Sequence, residues 1–179
     1  MDVILITGGG RSGKSRHALE LAGRRSRKAY VATAEPIDEE MRDRIDRHRQ
    51  ERGAGFLTVE EPMDLAGALR ALPPEIEVAV VDCLTVWLGN LSYRARPGTD
   101  LERIGSFPEI AAFLAVLDDP PCDLVLITNE LGMGIIPATA EVRAFRDLAG
   151  RVNQEAARRA GRVVLMVSGI PLAIKGGGG

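Results

Sequence analysis

The residues Gly8-Gly9-Gly10-Arg11-Ser12-Gly13-Lys14-Ser15 fit the phosphate-binding spacing G-x-x-x-x-G-K-[ST]. Chemistry explains the pattern. Glycines let the backbone turn tightly, so that successive N–H groups point inward at phosphate oxygens, and a following helix adds its partial positive end. In such a loop the Lys14 ammonium reaches the outer phosphates and the Ser15 hydroxyl binds Mg²⁺. The context agrees with the pattern. The apolar run Val3-Ile4-Leu5-Ile6 precedes the loop and has the length of a buried strand, and Ala18, Leu19, Leu21 and Ala22 give the following segment a helical apolar face. A ligand-free glycine turn is the plain alternative. The agreement of strand, loop, lysine and helix favours a nucleoside triphosphate, so Gly8, Gly9, Gly10, Arg11, Ser12, Gly13, Lys14 and Ser15 are read as nucleotide-binding.

A second element completes a phosphate site. Val78-Ala79-Val80-Val81-Asp82 is an apolar strand ending in an acid. A carboxylate there holds Mg²⁺ directly or through water, which makes Ser15 and Asp82 the candidate metal pair. The alternative is an Asp that only caps the segment beginning Cys83-Leu84-Thr85.

A third region is charged. Asp38-Glu39-Glu40 opens a helical segment with acids at its positive end, and Arg42, Arg44, Arg47, Arg49 and Arg52 follow with His48 among them. Four-residue spacing aligns Arg44, His48 and Arg52 on one stripe. A solvated face is the usual reading of such a helix. Like charges in a stripe repel, however, unless they meet an anion, and a histidine between guanidinium groups has its cation disfavoured. A neutral imidazole is a competent nucleophile toward phosphorus, and the arginines would stabilise departing pyrophosphate. His17, just past the phosphate loop, either touches phosphate or packs.

These groups need a frame. Strands are expected at Val3–Thr7, Ala29–Thr33, Val78–Asp82, Leu124–Thr128 and Val163–Ser168. Helices are expected near Lys14–Arg25, Glu39–Arg52, Met63–Leu72, Pro108–Leu117 and Glu141–Ala160, the last closed by Gly161 as a left-handed cap. Tyr93–Ser106 reads as a loop. Alternating strands and helices predict an α/β fold of P-loop NTPase type, a mostly parallel sheet with helices on both faces, in one domain over 1–175 with a glycine tail at 176–179. Thr7, Thr33, Asp82 and Thr128 stand at the carboxyl ends of their strands, where ligands gather in such sheets.

Composition limits the partners. The 179 residues are 45% hydrophobic with a formal net charge of −2 and 4% aromatic content, which disfavours a nucleic-acid binder. No run approaches the length of a membrane span. Cys83 and Cys122 lack metal-type spacing and lie beside apolar runs, as buried free thiols do. A cytoplasmic enzyme fits these features.

Several segments together resemble the bifunctional adenosylcobinamide kinase/adenosylcobinamide-phosphate guanylyltransferase family. They are Gly8 through His17, Val31-Ala32-Thr33-Ala34, Glu40-Met41 with Arg44-Ile45 and His48, and Asp82-Cys83-Leu84-Thr85-Val86-Trp87-Leu88. Thr128-Asn129-Glu130-Leu131-Gly132-Met133-Gly134-Ile135-Ile136-Pro137, Phe145-Arg146-Asp147 and Gly150-Arg151-Val152-Asn153-Gln154 are the more specific matches. The resemblance implies two reactions: ATP or GTP phosphorylates the hydroxyl of the aminopropanol arm of adenosylcobinamide, and GMP from GTP then passes through a histidine to the new phosphate, releasing pyrophosphate. It makes His48 the guanylylated residue and Lys14 the other catalytic one. Arg49, Gln50, Glu51 and Arg52 would line the nucleotide, and Thr33, Ala34, Glu35, Glu60 and Asp82 would contact GTP. It also implies Mg²⁺, GTP and ATP as ligands, adenosylcobinamide and its phosphate as partners, and a homotrimer. Some relatives carry a second histidine where Arg47 stands. Asn129 and Glu130 are polar contacts to water, metal or substrate. Two rivals are a simple small-molecule kinase with His48 incidental, and a DNA strand-exchange or regulatory module on the same core.

Overall fold

The computed structural model describes residues 1–37, 39–52 and 55–177, without the side chains of residues 40, 41, 44, 47, 48, 51 and 52. Asp38 and the last two glycines of the tail therefore lie outside the described residues.

Six parallel strands form the frame: β1 (Val3–Gly8), β2 (Lys28–Ala32), β3 (Leu57–Glu60), β4 (Val78–Asp82), β5 (Asp123–Ile127) and β6 (Arg162–Val167). A seventh, β7 (Ile170–Lys175), runs antiparallel at the edge, and the order is β3-β2-β4-β5-β1-β6-β7. The inner strands are near-continuous apolar runs because helices cover both faces. The helices are α1 (Lys14–Ala22), α2 (Glu39–Arg52), α3 (Leu65–Arg70), α4 (Leu84–Tyr93), α5 (Pro108–Asp118) and α6 (Ala140–Arg159).

Period-two alternation divides the strands between two cores. Val3 and Leu5 face the larger one with Leu65, Leu69, Trp87, Leu88, Phe113 and Val152 of α3 to α6. Ile6 faces the other with Ala18 and Ala22 of α1. The small alanines let α1 lie close to the sheet, which places its first residue, Lys14, at the carboxyl edge.

Four expectations need correction. β3 and β7 are strands that alternation alone underweights, one because it has four residues and the other because it follows a two-residue turn. α4 is missing from the expected helices, although Leu84, Trp87, Leu88 and Leu91 have helical spacing and are all buried. Helix α1 stops at Ala22 rather than Arg25, since Gly23 closes it with its N–H on the Leu19 carbonyl. Gly161 is not left-handed: α6 ends through extended Ala160, and a side chain at Gly161 would come within 2.6 Å of Asp2 Oδ1. Tyr93–Ser106 holds the end of α4 and a short 3₁₀ turn at Ile104–Ser106.

Candidate active site

The phosphate loop leaves β1 at its carboxyl end. Two of its glycines are required by the backbone itself. Gly8 has φ +150°, and a Cβ there would lie 2.6 Å from the Met166 carbonyl oxygen of β6. Gly13 has φ +94° and approaches Gly169, where a Cβ would be 3.2 Å from Cα. Arg11 also takes a positive φ of 57°. A Cβ at Gly9 or Gly10 would meet nothing within 4 Å. These two glycines border open space.

Lys14 is buried in this loop, its Nζ donating to the carbonyls of Gly8 at 3.2 Å and Gly9 at 2.6 Å. Ser12 is buried beside it, and its Oγ is without a hydrogen-bond partner among the described residues. An orphaned hydroxyl buried in this loop fits a phosphate ligand, because buried polar atoms otherwise find partners.

Ser15 donates from Oγ to Asp82 Oδ2 at 3.0 Å, and Tyr30 donates from its hydroxyl to the same oxygen at 2.5 Å. This brings the candidate metal pair together. A hydroxyl and one carboxylate suit Mg²⁺, which keeps several waters and takes further oxygens from phosphates. The cap of α4 is Cys83 rather than Asp82, its Sγ accepting from the Val86 N–H at 3.4 Å. Burial, with the Asp82 charge beside it, pushes the Cys83 thiol up to about 12, so the sulfur is an inert cap.

Thr33 is fully buried and ties β2 to β4, its Oγ1 donating to the Cys83 carbonyl at 2.9 Å and accepting the Cys83 N–H at 2.8 Å. Ala34 follows half-buried, and Glu35 pairs with Arg94 at 2.7 Å. Asn90 of α4 fixes this turn by donating to the carbonyls of Thr33 and Pro62 at 2.8 and 3.1 Å.

At the far edge of the sheet, Arg49 of α2 pairs with Glu60, the last residue of β3, and with Asp46 at 3.1 Å. The hydrogen bond to Glu60 and its charge raise the Arg49 guanidinium above its ordinary value. Two predicted nucleotide contacts are thus brought together. Gln50 is exposed, and the side chains of His48, Glu51 and Arg52 lie outside the described residues. Three strands' worth of sheet stand between β3 and β1, so the Glu60 end lies roughly 19 Å from the phosphate loop at about 4.8 Å per strand spacing. His17 lies along α1, its Nδ1 3.8 Å from Glu20 Oε2.

Sequence reasoning undervalued two features. A buried polar chain joins the first turn of α4, the residues after β5 and the interior of α6: Thr85 Oγ1 meets Thr128 Oγ1 at 3.3 Å, Thr128 donates to Asn153 at 2.8 Å, and Asn153 donates to the Asn129 carbonyl at 3.1 Å. The β6–β7 turn, Ser168-Gly169, also braces the phosphate loop. Both residues have positive φ, as a type I′ hairpin turn requires, and Gly169 donates its N–H to the Ser12 carbonyl at 3.0 Å. The Ser-Gly pair between apolar runs is the signal that marks it. A cavity lined by Asp2, Arg24, Arg25, Asp123 and Arg162 lies at the amino ends of the strands and is remote from all of this.

A glycine loop between the first strand and a helix, its lysine folded inward and its serine on an acid two strands away, defines a P-loop NTPase-type α/β protein. A solved ATPase from the type III secretion system of pathogenic bacteria has this fold, with a TM-score of 0.53, 10% identity, and coverage of 92% of this chain and 50% of that one. The family model for CobU, cobinamide kinase / cobinamide phosphate guanyltransferase, matches residues 4–174, and the chain belongs to that family. It is 41% identical over 181 aligned positions to the bifunctional adenosylcobalamin biosynthesis protein CobU of Escherichia coli, covering 97% of this chain and 99% of that protein. It is 40% identical over 173 positions to the bifunctional adenosylcobalamin biosynthesis protein CobP of Pseudomonas aeruginosa, covering 96% of each.

Proposed function

We propose that this chain phosphorylates the aminopropanol hydroxyl of adenosylcobinamide with ATP or GTP, then carries GMP from GTP on His48 to that phosphate, giving adenosylcobinamide-GDP and pyrophosphate. The observation that carries the first step is the Ser15 hydroxyl on the Asp82 carboxylate, 3.0 Å apart, beside the inward Lys14. Lys14 leaves its two carbonyls for the outer phosphates when a triphosphate enters, and the Ser12 hydroxyl gains a partner. Ser15 and Asp82 would hold Mg²⁺, which when bound neutralises charge on the phosphate oxygens. Phosphoryl transfer needs little else than positioning and charge stabilisation.

The second step uses the other edge of the sheet. Arg49, held by Glu60, marks the turn of α2 that contains His48. The imidazole attacks the α-phosphorus of GTP, the bond to the pyrophosphate oxygen breaks, and the arginines stabilise the leaving charge. The phosphate made in the first step then displaces the imidazole. Thr33 holds the turn that presents Ala34 and Glu35 to the nucleotide. We read the protein as a cytoplasmic homotrimer, and a nucleotide at a subunit boundary would account for a second site at the far edge of the sheet. The corrinoid stays mainly in solvent, and exposed Met133, Ile135 and Ile136 offer apolar contact for it near the carboxyl edge.

The test is incubation with GTP labelled at the α-phosphorus. Acid-labile, base-stable label on His48 is expected. Unlabelled protein with intact kinase activity would leave only the simple kinase.

A further inference from the structure

Phosphorylation of a hydroxyl calls for a group that takes its proton, and Glu130 stands where such a group belongs. It follows β5, the strand between the phosphate-loop strand β1 and the Asp82 strand β4. Its backbone N–H donates to the Gly8 carbonyl at 3.2 Å. Lys14 Nζ donates to the same carbonyl at 3.2 Å, so the main chain of Glu130 and the ammonium lie within two hydrogen-bond lengths of each other. The Glu130 carboxylate accepts the Thr7 hydroxyl through Oε2 at 3.2 Å. It forms no ion pair among the described residues, and it is half-buried. A carboxylate fixed at both its main chain and its head, and ion-paired with none of the described residues, would be costly beside an incoming phosphate unless it were used.

We propose that Glu130 is the general base of the phosphorylation step. The substrate hydroxyl passes its proton to a Glu130 oxygen as its own oxygen forms a bond to the γ-phosphorus. The bond from that phosphorus to the β–γ bridging oxygen breaks, and the nucleoside diphosphate leaves with the electron pair. The carboxylic acid then returns its proton to water. Thr7 is a positioning residue that aims the carboxylate. The guanylyl transfer to His48 has no such proton to remove, so the two reactions differ in their need for Glu130.

This proposal rests on the kinase reading, and the test keeps the two apart. Purified full-length wild type and Glu130→Gln are assayed for cobinamide phosphorylation against pH and Mg²⁺, and for GMP labelling from GTP. In Glu130→Gln, kcat for phosphorylation is expected to fall about 100-fold or more, as loss of a general base does. The KM for ATP and the Mg²⁺ requirement are expected to hold, the fall in rate at acid pH that a general base would give the wild type is expected to be lost, and GMP labelling to continue. Thr7→Val, which only loosens the carboxylate, lowers kcat less and keeps the acid limb; it decides the matter if Glu130→Gln fails to fold. Unchanged kcat in Glu130→Gln overturns the proposal, and so does rescue of its activity by excess Mg²⁺, which would make Glu130 a metal ligand. A Thr7→Val rate equal to wild type likewise overturns it. A wild type that takes GMP label but never phosphorylates cobinamide overturns the kinase reading itself and this inference with it.

Discussion

The cradle around Lys14 and the helix that carries His48 are built in opposite ways. Around Lys14 every element is packed: Ala18 and Ala22 press α1 on the sheet, Gly13 abuts Gly169, and Gly8 lies against Met166. In α2 only Met41 and Ile45 of fourteen residues are apolar, so the sequence offers little apolar surface to hold it, and among the described side chains the exposed pair of Arg49 with Glu60 ties it to the sheet. A phosphate cradle gains from rigidity, since its donors must stand in place before charge develops. A helix that took a nucleotide and handed it on, as proposed for α2, would gain from being loosely tied. If that division is right, mutations in the two regions affect different reactions and different observables.

The largest effect is expected from Lys14→Ala. Removing the ammonium from the outer phosphates lowers phosphorylation on the order of 10³-fold or more, read as cobinamide phosphate formed per minute. GMP labelling of the protein persists if α2 has its own nucleotide. Loss of both activities would join the regions into one site.

His48→Ala is the converse. The acid-labile adduct disappears and guanylyl transfer to added cobinamide phosphate falls at least about 100-fold, while phosphorylation continues. Full transfer by this variant would remove His48 from the reaction.

The loop geometry around Lys14 could be read from the sequence because it is local. Eight consecutive residues, one strand and one helix determine it, and Gly8, Gly13, Lys14 and Ser15 all stand where the spacing puts them. Asp82 needed only the end of an apolar run. The rest depended on contacts between distant segments. The Thr85–Thr128–Asn153 chain joins three elements through residues that look like ordinary strand ends or helix polar positions. The hairpin turn at Ser168-Gly169 is a local signal, but its seat on Ser12 is a consequence of β6 lying beside β1. Helix α4 begins two residues after β4 with the largely apolar run Leu84-Thr85-Val86-Trp87-Leu88, so its helical stripe is hard to separate from the strand before it. The distance between Glu60 and the cradle follows from strand order, which no motif records.

Next in size is Gly13→Ala. At φ +94°, with backbone 3.2 Å from the new Cβ, it costs about 1–3 kcal/mol, which lowers Tm by several degrees in a chain of this length. Gly10→Ala gives the contrast. Its Cβ has open space in the ligand-free chain, so Tm is expected to hold in calorimetry while the KM for ATP rises if phosphates occupy that space. Equal losses of Tm in the two variants would show that the loop glycines serve only the backbone.

The smallest effect on stability is expected at the other edge. Arg49 and Glu60 are both about half exposed, with side-chain exposures of 49% and 56%, so their pair contributes under about 1 kcal/mol and fades as salt is added. Glu60→Gln therefore leaves urea unfolding nearly unchanged. Its effect belongs to the nucleotide: with the guanidinium released and one carboxylate fewer to bind GTP, the GTP concentration needed for half-maximal labelling of His48 rises. The KM for ATP in phosphorylation does not move, because four strand spacings and the whole of β2, β4 and β5 stand between Glu60 and Lys14. Were both constants to rise together, one nucleotide would be in reach of both regions, and α2 would have to close over the cradle during turnover rather than serve a site of its own.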